Sequence, residues 1–196
     1  ARASGRALAS STTPQSASPA QLKATIDTLG SLDYKTRTDG ARLVRRTAAS
    51  QAVPALLDTV SGHADGYVRF KALVLLTGFN DPRTRDAMRD ALASPNDRLR
   101  TVAYSFFEHN ADPAVLDGLL AALEKEQAEF VRPALIRALA ANGSDRRVQQ
   151  ALVREAGRGE DFFRSAVIEA LGDYKATYAF DALMGIARLD GPLLDD

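Results

Sequence analysis

The sequence predicts an all-α fold, a right-handed α-α superhelix (α-solenoid) of about five helix-turn-helix repeats of 31–32 residues. Three observations predict it. An apolar residue followed by Arg recurs at Val68-Arg69, Leu99-Arg100, Val131-Arg132 and Phe163-Arg164, with Thr36-Arg37 as a weaker first copy. Successive arginines lie 32, 31, 32 and 32 residues apart, a register that chance dipeptides do not keep. After each Arg comes a helical apolar stripe and then a cluster of turn residues. A unit this short cannot bury its apolar face alone, so the units must stack.

Residues 1–18 stand outside the pattern. They are rich in Ser, Thr, Ala and Pro, with Arg2 and Arg6 as their only charges and no apolar period, and so are expected to form a disordered tail or linker. Ala7-Leu8-Ala9 resembles a signal-peptidase site but follows no hydrophobic stretch. The solenoid is expected over 19–196. Its first helix starts where Ser18 can cap, Pro19 suits the first turn and Gln21 completes a capping box, and Leu22, Ile26 and Leu29 share one face.

The first helix of each repeat follows from two columns. Six residues after each Arg stand Leu43, Leu75, Phe106, Ala138 and Ala170, and the next position holds Val44, Leu76, Phe107, Leu139 and Leu171. Asn80-Asp81-Pro82, Asn110-Ala111-Asp112-Pro113 and Asn142-Gly143-Ser144-Asp145 then supply turn and N-cap chemistry. Second helices are read from Val53, Leu116, Val148 and Phe180, with Arg85 interrupting, and from Leu56, Met88, Leu119, Ala151 and Leu183. Adding 32 to Arg164 gives Asp196, which places a sixth first helix at Pro192-Leu193-Leu194 and predicts a stack truncated at its C-terminus.

The V-R-x-x-A-x-x-x-L run, its polar turn with Asp-Pro and its Leu-rich second helix resemble the short HEAT repeats of the phycobilisome-lyase type, over roughly residues 20–196. The resemblance implies an acid in each inter-repeat turn that pairs with the repeat Arg. The matching positions are Asp33 with Arg37, Asp65 with Arg69, Asp97 with Arg100, Glu129 with Arg132 and Asp161 with Arg164. All lie three or four residues apart with the acid nearer the helix start, the favourable order for both pair and helix dipole. An exposed pair contributes only about 0.3–0.5 kcal/mol, so this ladder sets register more than stability.

Composition narrows the function. The chain has 25 basic and 25 acidic side chains, no Cys and two His, which disfavours a broad nucleic-acid-binding face and excludes thiol chemistry and a three-His zinc site. No apolar run reaches the roughly 18 residues of a membrane span. Twenty Arg against five Lys point to a GC-rich bacterial genome, and the tail favours an exported or periplasmic location over the cytoplasm. No cofactor or metal is expected.

In a stack of this kind the second helices line the concave face. Its columns hold Gln51, Arg83, Ala114, Arg146 and Tyr178; Pro54, Asp86, Asp117, Gln149 and Asp181; and Ala55, Ala87, Gly118, Gln150 and Ala182, small in all but Gln150. Arg83, Asp86, Asp117, Arg146, Gln149, Tyr178 and Asp181 are therefore the candidate contacts for an extended peptide or a partner helix. Catalytic readings are weaker. Glu108-His109 ends a helix, where His serves the dipole; His63 sits in a turn where solvation is the default; Gly157-Arg158-Gly159 follows no strand. The sequence thus predicts a non-catalytic scaffold for a protein or peptide partner. The alternative is a HEAT-like enzyme or chaperone. It would be bilin-lyase-like, or alkylpurine-glycosylase-like and bound to nucleic acid through Arg83, Arg85, Arg89, Arg146, Arg147, Arg154 and Arg158.

Overall fold

A computed structural model describes residues 15–158 and 161–188. The expected tail up to residue 14 and the expected helix at Pro192 lie outside these residues. Among the described residues there are eleven α-helices and no strand, so the fold is all-α and built from helical repeats, as in an α-solenoid. The chain divides into two compact units between Asp81 and Pro82.

In the first unit, α1 (Pro19–Asp27) starts on the predicted capping box. Ser18 Oγ accepts the Gln21 N–H at 3.2 Å and Gln21 Oε1 accepts the Ser18 N–H at 3.0 Å. A 3-10 turn, Thr28–Gly30, leads to α2 (Tyr34–Arg46), then α3 (Ala49–Gly62) and α4 (Gly66–Leu76). Asp33 caps α2 by accepting the Thr36 N–H at 2.6 Å, and Asp65 caps α4 through the Tyr67 N–H at 2.7 Å. The core is Leu22, Ile26, Leu29, Val44, Val53, Leu56, Val68, Leu73 and Leu76. At Gly40, α2 lies against the end of α1 and the 3-10 turn that follows it. A Cβ there would overlap Thr28 Oγ1 and stand 3.2 Å from the Thr25 carbonyl.

The second unit runs α5 (Arg83–Ala91), α6 (Asp97–His109), α7 (Leu116–Leu123), α8 (Arg132–Ala140), α9 (Arg146–Ala156), α10 (Asp161–Asp173) and α11 (Phe180–Ile186). Here α8 packs between α6 and α10, so the first helices of three consecutive repeats form a row. Leu99, Phe107, Val131, Leu135, Leu139, Val148, Leu152 and Leu171 are all at most 1% exposed. Each such Leu contributes about 1.5–3 kcal/mol relative to leaving it in water.

Two core columns fail locally. Leu43 is 39% exposed, although Leu75, Ala138 and Ala170 in the same column are buried. Phe180 is 63% exposed, and Ala179, the last residue of the 3-10 turn Thr177–Ala179, is buried beside it. The expected tail also ends sooner than Ser18. Gln15 forms a parallel bridge with Thr47, and Ala17 is held by Gln51.

Candidate functional site

The first unit holds a groove of about 940 Å³ between α1 and α3. Helix α3 buries Ala52, Val53 and Leu56, which turns Gln51, Pro54, Ala55, Asp58 and Thr59 toward the groove. Leu22, Lys23, Ile26 and Asp27 of α1 form the facing wall. Pro54 sits inside α3 and has no N–H, so the carbonyl of Ser50, a residue that lines the groove, lacks its usual helical donor. The floor is therefore apolar, with main-chain and carboxylate acceptors along its edges.

His63 closes one end. Its Nδ1 accepts the Asp65 N–H at 3.0 Å, and its Nε2 lies 3.3 Å from Asp27 Oδ1. The expectation of a solvated loop histidine is thus corrected: the ring is a quarter exposed and ties the α3–α4 turn to the end of α1. The other end is formed by Ala17. Gln51 grips it with both halves of its amide, accepting the Ala17 N–H at 3.3 Å and donating to the Ala17 carbonyl at 2.9 Å.

The acid–arginine ladder is corrected in most rungs. Asp97 pairs with Arg100 at 2.8 Å. Asp33 and Asp65 instead spend their carboxylates capping α2 and α4, and Glu129 is exposed without pairing to Arg132. The side chain of Asp161, and with it the rung to Arg164, lies outside the described residues. The arginines turn back onto carbonyls at the exit of the preceding helix: Arg37 to Ser31 at 2.7 Å, Arg69 to Val60 at 2.8 Å, Arg100 to Ser94 at 2.8 Å and Arg132 to Glu126 at 3.2 Å. Arg100 and Arg132 also reach forward to Glu126 and Glu155 at the ends of their own second helices. Those two glutamates lie 26 and 23 residues after their arginines, so no single column marks them.

A second cluster, in which only the Glu108 side chain is buried, joins the row of first helices. Glu108 accepts from Arg137 Nε at 3.0 Å and Tyr174 Oη at 2.9 Å, and Arg137 also donates to Asp173 at 2.8 Å. Burial and the Glu108 carboxylate raise the Tyr174 hydroxyl above its ordinary pKa. Glu108 is therefore a packed structural acid, while the neighbouring His109 is exposed.

The predicted concave-face residues are not gathered into one site. Asp86 pairs with Arg89 at 3.0 Å and Asp117 with Arg147 at 2.7 Å. Gln149 donates to the Gly143 carbonyl at 2.8 Å, and Tyr178 packs on the same glycine with its hydroxyl buried, so neither offers a free groove contact. Arg83, Arg146 and Asp181 are exposed. The nucleic-acid alternative loses most of its cations to carboxylates. Arg85 and Arg89 pair with Asp112, Arg147 with Asp117 and Asp145, and Arg154 and Arg158 with Glu155. No helix among the described residues is long and apolar enough to cross a membrane.

Helical hairpins in a 31–32-residue register, tied through their repeat arginines, define a helical-repeat protein. Residues 53–140 match the family model described as HEAT repeats, which supports reading this part of the chain as HEAT repeats. No curated protein matches it.

Proposed function

We propose that this chain is a non-catalytic HEAT-repeat scaffold that binds a polypeptide segment of a partner protein in the groove between α1 and α3. HEAT repeats commonly serve as protein-interaction scaffolds. The observation that carries the assignment to this groove is its make-up: part-exposed Pro54 and Ala55 facing α1 at the buried Leu22 and Ile26, edged by the Asp27 and Asp58 carboxylates and the Gln51 amide. A bound chain needs apolar contact area together with partners for its peptide groups, and both are present along one trough.

Selection of random dodecapeptides on the intact chain tests this. Ala55→Trp fills the trough, and the selected peptides are expected to lose at least tenfold in affinity, whereas Lys125→Ala leaves them unchanged. Peptides that ignore Ala55→Trp overturn the assignment.

A further inference from the structure

The corner where α2 meets α3 already holds a short extended chain, residues 15–17 of the same protein. The Gln15 N–H donates to the Arg46 carbonyl at 2.9 Å, and the Gln15 carbonyl accepts the Ala48 N–H at 3.2 Å. Two residues on, both peptide groups of Ala17 are taken by the Gln51 amide. Residues 15 and 17 thus face the protein through their main chain, in the two-residue alternation of extended backbone. The side chains of Gln15 and Ser16 are exposed, and neither hydrogen-bonds to another of the described residues. Nothing in these four bonds depends on side-chain identity.

We infer that this corner is a main-chain acceptor site for an extended segment of a partner polypeptide, and that residues 15–17 are its resident occupant, displaced when the partner binds. The inference rests on the groove reading above and specifies the kind of ligand. Ala17 stands at the mouth of that groove, so a chain lying along Pro54 and Ala55 arrives at the Gln51 amide. An extended segment presents N–H and C=O groups at the same spacing as Gln15 and Ala17, whereas a helix has already used its own. The resident segment is tethered through Pro19 to α1. It competes at an effective concentration in the millimolar range, which makes it a brake on weak ligands and transparent to strong ones.

The probe is a synthetic peptide copying residues 10–18, titrated into the isotope-labelled full chain while the Ala48 N–H and Gln51 side-chain amide resonances are followed. The receiving chain carries Gln15→Pro and Ala17→Pro, which remove both N–H donors of the resident segment and leave the Ser18–Gln21 capping box in place. Saturable shifts are expected, with a dissociation constant at least tenfold lower than in the unsubstituted chain. A peptide N-methylated at its Ala17 nitrogen is expected to bind at least tenfold more weakly, and one with Gln15→Ala and Ser16→Ala to bind within about threefold. Equal affinity for both chains, or indifference to N-methylation, overturns the inference. A second variant guards against loss of folding: Gln51→Ala in the otherwise unsubstituted chain is expected to speed hydrogen exchange at the Ala17 N–H at least tenfold, and unchanged exchange overturns the grip. Library peptides that respond to Ala55→Trp but not to Gln51→Ala would leave the groove reading standing and remove this one.

Discussion

Arg100 holds Glu126 in a two-pronged grip, Nε to Oε2 at 2.8 Å and Nη2 to Oε1 at 2.9 Å, with the glutamate side chain only 4% exposed. The same guanidinium binds the Ser94 carbonyl and Asp97, so one side chain fastens the start of α6 to the turn before it and to the end of α7. The hydrogen bond to Glu126 raises the Arg100 pKa still further. Tyr104 packs beside the pair, where burial and the Glu126 charge push its hydroxyl up to about 12.

Removing one partner leaves a buried charge without compensation. Arg100→Met is expected to cost about 3–5 kcal/mol in urea unfolding, and the double variant Arg100→Met, Glu126→Leu to recover most of it. Arg100→Lys cannot reproduce the paired donors and is expected to fall between them. A double variant no more stable than Arg100→Met would show that the pair is not the unit that matters.

Acid should weaken the second unit through two carboxylates. Burial pushes the Glu126 carboxyl up, but the Arg100 hydrogen bonds, the Ala128 N–H and nearby guanidinium charges outweigh it and leave the pKa below its ordinary value. The Arg89 hydrogen bond lowers that of Asp112. A folded-state pKa below the unfolded one gives stability that is fully present above the unfolded value, about 4, and is lost as pH falls through the folded value. Thermal midpoints are therefore expected to stay level from pH 7 to about 5 and to fall below about 4, less steeply in Glu126→Gln.

Lys175 sits at φ 50°, the left-handed conformation, where it terminates α10. Its N–H bonds to the Gly172 carbonyl at 3.0 Å and the next N–H, of Ala176, to Leu171 at 2.9 Å, the Schellman arrangement. Lys175→Gly is expected to raise stability by about 0.5–1 kcal/mol, read as a higher urea midpoint at unchanged slope.

Gly40 behaves in the opposite sense. Its φ is unremarkable, but any Cβ meets Thr28, so Gly40→Val is expected to destabilise by about 1–3 kcal/mol even though valine adds apolar area. Gly40→Val in a Thr28→Ala background should recover part of the loss.

Tyr178 offers a contrasting case. Its hydroxyl is buried without a protein partner, and burial raises its pKa. Tyr178→Phe is expected to leave stability unchanged or raise it by up to about 1 kcal/mol.

The fold was legible because its signals are periodic. Val44, Leu76, Phe107, Leu139 and Leu171 recur at one offset from the arginines, and all five are buried. The Ser18 capping box is equally local and was read from four residues. The partners of the arginines were not legible, because an exposed acid one turn away satisfies the spacing rule as well as a buried acid at the far end of the next helix does. Asp33 and Asp65 had the right spacing but face N–H groups that need a cap, and capping prevails. The groove escaped for a similar reason. Gln51, Pro54 and Ala55 stand in the columns that marked the second-helix face, but Asp27 and His63 belong to elements outside any repeat column, and only folding brings them together.

The arginine-to-carbonyl bonds also bear on evolution by insertion. Arg37, Arg100 and Arg132 each reach a carbonyl six positions upstream, so the guanidinium meters the turn it spans. One extra residue there would shift that carbonyl along the chain by more than a hydrogen bond tolerates, about 3.3 Å. The length of these three turns is thus a measured distance, set by the side chain that announces the repeat, whereas Arg69 spans nine positions to Val60 and allows a longer turn.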